Sequence, residues 1–131
     1  MLVERWMLMP EIVEDKTAVM NSILLSVKKS LGIPPSVETF DVDLVLLINS
    51  VFSELNQLGV GPETPFTIED DSSTWDEFLV DERIGMAQAY MFLDVKLMFD
   101  PPAPSVITAM EKKRDEYEWR LNVAGDKSAF E

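Results

Sequence analysis

The sequence predicts an all-α domain, about four helices in a small bundle, and three observations support that prediction. Apolar residues recur at helical spacing, three or four residues apart, in four separate stretches. Glycine or proline follows each of the first three stretches, where helices commonly end. A chain of 131 residues with 47% apolar side chains also has enough material for one stable core. We expect an N-terminal arm over residues 1–16, a helical domain over 17–124 and a C-terminal tail over 125–131.

The N-terminal arm is predicted because its residues show neither helical nor alternating periodicity and Pro10 interrupts them. The arm is nevertheless rich in apolar side chains, among them Trp6. We therefore expect it to lie along the body of the domain or against a partner, with Trp6 as a candidate contact.

The first helix is predicted from about Thr17 to Leu31, with Gly32 after it as the residue that adopts positive φ. Lys28 and Lys29 lie in its last turns, where the helix dipole favours positive charge. Its apolar stripe consists of Met20, Ile23, Leu24, Val27 and Leu31.

The second helix is predicted to begin with Asp41 as its N-cap and to end before Gly59. Its stripe consists of Leu44, Leu47, Ile48, Val51, Phe52, Leu55 and Leu58. Val45 and Leu46 lie off that stripe, so the first half of the helix is apolar almost all round. We expect this half to be central in the bundle or to contact another subunit.

A long acidic crossover connects the second and third helices, with eight acidic residues and no basic one between Val60 and Glu82. Residues 66–68 are predicted to be extended, and Thr74 and Glu77 have the spacing of a capping box that begins a short helix. Trp75, Phe78 and Leu79 are expected to hold the crossover on the core. The acidic runs lack the glycine turn and ligand spacing of a calcium-binding loop, so a solvated loop is favoured over a metal site.

The third helix, from about Glu82 to Phe99, carries two apolar stripes. The first consists of Ile84, Ala87, Met91, Val95 and Met98, and the second of Met86, Tyr90, Leu93 and Leu97. A helix with two apolar sides is buried on both, and in a small domain the second side is a plausible subunit contact. We therefore take the second stripe as a candidate contact surface.

The fourth helix is predicted from Pro104 to about Val123, with Val106, Met110, Tyr117 and Leu121 facing inward. On the outer face we expect i,i+4 ion pairs from Glu116 to Arg120, from Lys112 to Glu116 and from Arg114 to Glu118. Trp119 lies off the inward stripe, so a neighbouring segment or another subunit is expected to cover it.

Composition excludes several classes of function. The chain has 24 acidic and 11 basic residues, a formal charge of -13, and neither cysteine nor histidine. It therefore has no disulfide framework, no zinc site of the usual nitrogen and sulfur kind, and no thiol or imidazole for nucleophilic catalysis. Its charge disfavours binding to nucleic acid or anionic lipid, and no apolar run approaches the roughly 20 residues that cross a bilayer.

An enzyme is not expected. Glu11 with Glu14, and Glu38 with Asp41, have the local spacing of carboxylate pairs that hold magnesium in small all-α nucleotide hydrolases. They lie outside the predicted helices or at a helix entry, so they would not project from one helix face. No catalytic residue, cofactor or metal is predicted, and a magnesium-dependent hydrolase that relies on Glu38 is the less favoured alternative.

Several segments resemble, in order and spacing, the phage head-tail connector family, the small adaptor or head completion proteins beneath the portal. The resemblance covers about residues 20–123. It is carried by SILLSVKKSLGI (22–33), DVDLVLLINSVFSELNQLGVGP (41–62), TWDEFL (74–79), YMFLDVKLMFDPP (90–102) and EYEWRLNV (116–123).

This resemblance implies a structural virion protein rather than an enzyme. It implies a homo-oligomeric ring, dodecameric, that binds the portal on one side and a stopper or tail-completion protein on the other. Such a ring joins the capsid to the tail and helps to retain packaged DNA, which passes through the channel without specific binding. The protein is then expected in the host cytoplasm during assembly and at the head-tail interface of the virion.

An acidic intracellular binding protein, such as an antitoxin or a DNA mimic, is the alternative from another class. It would also be small, helical and strongly negative, but it should display its acidic residues in a row that imitates nucleic acid.

Overall fold

The structure, a computed structural model, describes residues 19–126, and these form an all-α bundle. Its helices are α1 (Ile23–Ser30), α2 (Asp41–Gln57), the short α3 (Trp75–Phe78), α4 (Ile84–Phe99) and α5 (Pro104–Asp126). Helix α4 packs against α1, α2 and α5, and α1 also packs against α2. The predicted all-α class with four main helices and a long crossover is confirmed. The predicted arm and the residues after Asp126 lie outside the described residues.

The core is formed by most of the stripe residues that the helical periodicity predicts, but Met98, predicted on the first stripe of α4, is exposed. Ile23, Leu24 and Val27 of α1 are buried, as are Ala87, Met91 and Val95 of the first α4 stripe. Helix α2 contributes Leu44, Ile48, Val51, Phe52 and Leu55. Because α1, α2 and α4 meet along these stripes, the burial of apolar area by all three stabilises the same interior.

The first helix is shorter than predicted because the chain is extended at Ser22. Residues 19–21 are helical, but Ser22 has φ -70° and ψ 131°, and its hydroxyl accepts a hydrogen bond from the N–H of Leu25 at 3.2 Å. Ser22 is therefore the N-cap of α1, and Met20, predicted on the inward stripe, is exposed. Gly32 has φ +77°, the positive value that the C-terminal position requires.

The N-cap prediction for Asp41 is wrong. Phe40 occupies the position before α2 without a side-chain hydrogen bond, and Asp41 is the first helical residue. Its carboxylate lies 2.9 Å from the ammonium of Lys28, which is almost fully buried. Lys28 also donates to the carbonyl oxygen of Pro35 at 3.1 Å, so this lysine joins α1, the following turn and α2.

The acidic crossover is held on the bundle by hydrogen bonds and by ring packing, and a capping box orders its short helix. The hydroxyl of Ser22 donates to the carbonyl oxygen of Asp71 at 2.7 Å, and the buried Trp75 indole donates to Ser26 Oγ at 2.9 Å. The carboxylate of Glu77 accepts the Thr74 N–H at 2.9 Å, which confirms the predicted capping box. The rings of the crossover then pack around Phe52 of α2; they are Phe66, Trp75 and Phe78.

Residues 66–68 are not a strand, but a side chain substitutes for a strand partner. Asn49 of α2 accepts the N–H of Ile68 at 2.8 Å and donates to the carbonyl oxygen of Ile68 at 3.0 Å. One amide thus pairs both backbone groups of a buried residue. A tight approach occurs nearby at Gly61, whose φ is +97° and where a Cβ atom would lie 2.5 Å from the Phe78 ring.

The outer face of α5 differs from the prediction in part. The Glu116–Arg120 ion pair is confirmed, with 2.6 Å between nitrogen and oxygen. Among the described residues, Glu116 pairs with Lys113 rather than Lys112, and Arg114 reaches Asp94 of α4 instead of Glu118. Leu121 is fully buried and Tyr117 packs on the core, as predicted. Val106 is exposed and was wrongly assigned inward, because the first turns of α5 lie largely in solvent.

Candidate assembly surfaces

Two helix faces present large apolar side chains that the described part of the chain leaves uncovered. On α2, Val42 is 75% exposed and Leu46 is 65% exposed. On α5, Trp119 is 65% exposed and Val123 is also exposed. Exposed apolar clusters of this kind on a small domain are typical of protein-protein contact sites.

The exposed α2 residues lie in a groove with an acidic margin. Leu24 and Val45 line its apolar floor beside Val42 and Leu46. The margin consists of Glu38, Asp41, Glu69, Asp70 and Asp71. The sequence predicted that the first half of α2 would be central in the bundle or would contact another subunit. The structure excludes the first of these within the described residues, since one side of α2 faces solvent.

The candidate contacts named from the sequence do not form one surface. Met86 packs partly on the core, while Leu93 and Leu97 are half-buried on α4. Tyr90 is only 3% exposed, and its hydroxyl bonds to Glu54 of α2. Trp119 lies on the outer side of α5, and Trp6 is outside the described residues. Helices α2 and α5 of the same chain therefore cover part of the second α4 stripe, and contact of these residues with a partner stays a prediction.

A polar cleft between α2, α4 and α5 is a feature that the sequence reasoning missed. It has a volume of about 340 Å³ and is lined by Glu54, Tyr90, Asp94, Arg114 and Glu118, among others. The Tyr90 hydroxyl donates to Glu54 Oε2 at 2.9 Å, and an Arg114 nitrogen lies 3.4 Å from Asp94 Oδ1. The available signal was Asp94 itself, the sole acidic residue in the apolar sequence of α4.

Burial and a neighbouring acid shift the ionisation of Glu54. Partial burial and the neighbouring Asp94 carboxyl together raise the pKa of the Glu54 carboxyl to about 7. The hydrogen bond from Tyr90 and the charge of Arg114 act in the opposite direction. Glu54 therefore stays protonated up to about neutral pH, which avoids the repulsion of two neighbouring carboxylates.

The raised pKa of Glu54 makes the free energy of unfolding depend on pH. Between pH 4.5 and about 7 the folded chain holds a proton that an ordinary glutamate in the unfolded chain releases. The stabilisation is therefore complete below pH 4.5 and is lost as the pH rises through 7. Water still reaches Glu54 and screens its charge, so we expect a loss of only about 1 kcal/mol.

Glu54→Gln, which imitates the protonated acid, isolates this effect. Urea unfolding at pH 4 and pH 8 should show equal stabilities for the two proteins at pH 4 and a more stable variant at pH 8. The other carboxylates contribute equally to the stability of both proteins, so their contribution cancels when the two free energies are subtracted. If the difference in stability between the two proteins does not change with pH, the raised pKa of Glu54 is contradicted.

Residues 19–126 contain no metal-binding centre. No group of three or more acidic side chains within residues 19–126 is arranged to hold a metal ion. In the same part of the chain, no helix is both long and apolar enough to cross a membrane. The described residues instead form a helical body with apolar faces that they leave uncovered, as is typical of small proteins that bind other proteins.

The chain belongs to the phage connector protein family, whose sequence model matches residues 23–128. The match spans every helix from α1 to α5 and confirms the head-tail connector family that the sequence segments resemble. No curated protein and no solved structure matches the chain. Phage connectors are structural proteins of the virion, so this chain has a structural role at the phage head-tail interface.

Proposed function

We propose that this protein forms a homo-oligomeric ring, dodecameric, beneath the portal and joins the capsid to the tail. In this proposal the portal lies on one side of the ring and a stopper or tail-completion protein on the other. The ring helps to retain packaged DNA, which passes through its channel without specific binding. The subunit is made and assembled in the host cytoplasm before it becomes part of the virion.

The observation that carries the proposal is the pair of uncovered apolar faces on a chain of this family. Val42 and Leu46 lie on α2, whereas Trp119 and Val123 lie on α5. A ring needs two different surfaces on each subunit, because each copy contacts its two neighbours through different patches. Two separate faces on two helices meet that requirement, and the pairing of one with the other across a subunit boundary buries both.

The net charge supports the same function. With a formal charge of -13, the chain repels the DNA phosphate backbone, and this repulsion keeps DNA from adhering to a channel that it must slide through. The acidic crossover contributes eight of the acidic residues. We place this crossover toward the lumen or the next ring, and the C-terminal part of α5 with the tail toward the portal.

The assembly test is light scattering coupled to size exclusion over a concentration series, for the chain alone and mixed with the portal protein of the same phage. A ring-sized species in either sample is the expected result. A chain that stays monomeric and does not bind the portal would contradict the proposal.

Two surface variants sharpen this test. Leu46→Ser and Trp119→Ser remove exposed side chains, so each should change the free energy of unfolding by at most about 0.5 kcal/mol. We expect each to weaken assembly at least tenfold, because a central apolar contact carries much of the binding energy. Val80→Ser is the matched control, since Val80 is exposed but lies on neither face. Equal assembly by all three variants would exclude these faces as the seam.

A further inference from the structure

The polar cleft between α2, α4 and α5 has more acidic than basic groups. Three carboxyl groups line it, from Glu54, Asp94 and Glu118, against the single guanidinium of Arg114. Two carboxylates compete for that guanidinium, because it lies 3.4 Å from Asp94 Oδ1 and 3.4 Å from the carboxylate of Asp115 outside the cleft. The cleft therefore has too few positive groups to balance its carboxylates. One of these carboxylates is also largely buried from water.

That buried carboxylate belongs to Asp94. Its residue is 4% exposed, and Oδ2 accepts no hydrogen bond from an N–H group or a hydroxyl of the described residues. A buried carboxylate oxygen without a donor is costly, and native proteins normally supply one. The cationic group that lines the cleft, Arg114, lies against Oδ1, so Oδ2 is left without a donor among the described residues.

We propose that this cleft is a binding site for an organic cation, a primary ammonium or a guanidinium, which lies between the Asp94 and Glu54 carboxylates. The cation donates hydrogen bonds to Asp94 Oδ2 and to the Glu54 carboxylate, with Tyr90 still bonded to Glu54. A volume of about 340 Å³ is sufficient for the end of a lysine or arginine side chain or for a small polyamine. This inference does not depend on ring formation.

Binding in this site exchanges one positive charge for another. The groups that face Glu54 are Tyr90 and Asp94 on α4 and Arg114 and Glu118 on α5. When the cation enters, Glu54 releases its proton to solvent, and the cation then balances the two carboxylates. The affinity should consequently increase with pH across the neutral range, since the proton competes less well as its concentration falls.

The test uses propylguanidinium as the probe and propylurea as a neutral compound of nearly the same shape. The carboxyl carbon signals of the full chain are followed by NMR during titration at pH 6 and pH 8. We expect saturable shifts of the Glu54 and Asp94 signals with propylguanidinium, at least threefold tighter at pH 8, and no such shifts with propylurea. Equal shifts with both compounds, or unmoved Glu54 and Asp94 signals, would overturn the proposal.

Variants separate the site from the general attraction of an acidic protein for cations. Asp94→Asn and Glu54→Gln should each weaken propylguanidinium binding at least tenfold, whereas Asp76→Asn, which removes an exposed acid elsewhere, should change it less than twofold. If Asp94→Asn does not fold, Glu54→Gln still decides, because a neutral side chain imitates the protonated state. If all three variants weaken propylguanidinium binding equally, the binding is nonspecific attraction and the proposed site is contradicted.

Two further titrations identify the source of the cation. If a neighbouring copy supplies a basic side chain, the Glu54 and Asp94 signals shift with protein concentration in the absence of any probe. If a free polyamine is the ligand, putrescine reproduces the shifts while protein concentration has no effect. Either result supports the site, and neither depends on the size of the assembly.

Discussion

Phe52→Ala is expected to lower the free energy of unfolding by about 3–5 kcal/mol, the usual cost of removing a fully buried aromatic ring. Phe52 has no exposed surface, and three rings of the crossover pack against it. The centroids of Phe78 and Phe66 lie 4.7 Å and 5.1 Å away, and that of Trp75 lies 6.1 Å away. Because the bundle cannot collapse into the space without moving the crossover, the cavity remains.

The same substitution at Phe40 is the matched control. Phe40 is 40% exposed and has a single ring contact, with Phe99 at 5.4 Å between centroids. Its replacement by alanine should cost about 1 kcal/mol, since less area leaves water on folding. Urea unfolding followed by tryptophan fluorescence measures both. Equal losses for the two variants would show that the crossover does not depend on Phe52.

The sequence predicts the helices well because each is determined by local features. The stripe of α2 and the capping box at Thr74 are patterns within a few neighbouring residues, and the structure contains both. The N-cap prediction for Asp41 fails for a tertiary reason, since its carboxylate is used by Lys28 of another helix. Val106 fails because periodicity cannot show that the first turns of α5 extend beyond the core.

The candidate surfaces follow from the sequence only in part. Trp119 was identified because it lies off the inward stripe, a property that sequence spacing records directly. Leu46 also lies off the apolar stripe of α2, but whether it is exposed depends on the side of α2 against which α4 packs. The cleft required Glu54, Asp94 and Arg114 to meet from three helices, and no spacing in the chain predicts that meeting. Local patterns thus determine elements, whereas clefts and faces depend on how the elements pack.

Lys28→Met is expected to lower the free energy of unfolding by about 2–3 kcal/mol, because it leaves one partner of a buried ion pair without the other. The Lys28 side chain is 1% exposed, and its ammonium lies 2.9 Å from the Asp41 carboxylate. Methionine fills most of the space of the lysine stem, so the loss reports the missing charge rather than a cavity. Asp41 retains some contact with water, which keeps the cost below that of a fully buried charge.

Lys29→Met provides the control, since Lys29 is exposed beside it and should change stability by at most about 0.5 kcal/mol. Adding Asp41→Asn to Lys28→Met should then recover about 1 kcal/mol, because it removes the carboxylate that the single variant leaves unpaired. Urea unfolding of the unchanged protein, Lys28→Met, Lys29→Met and the double variant measures this recovery of stability. A double variant no more stable than Lys28→Met would assign the loss to the Lys28–Pro35 hydrogen bond instead, and the connection between α1 and α2 would then run through the turn rather than through Asp41.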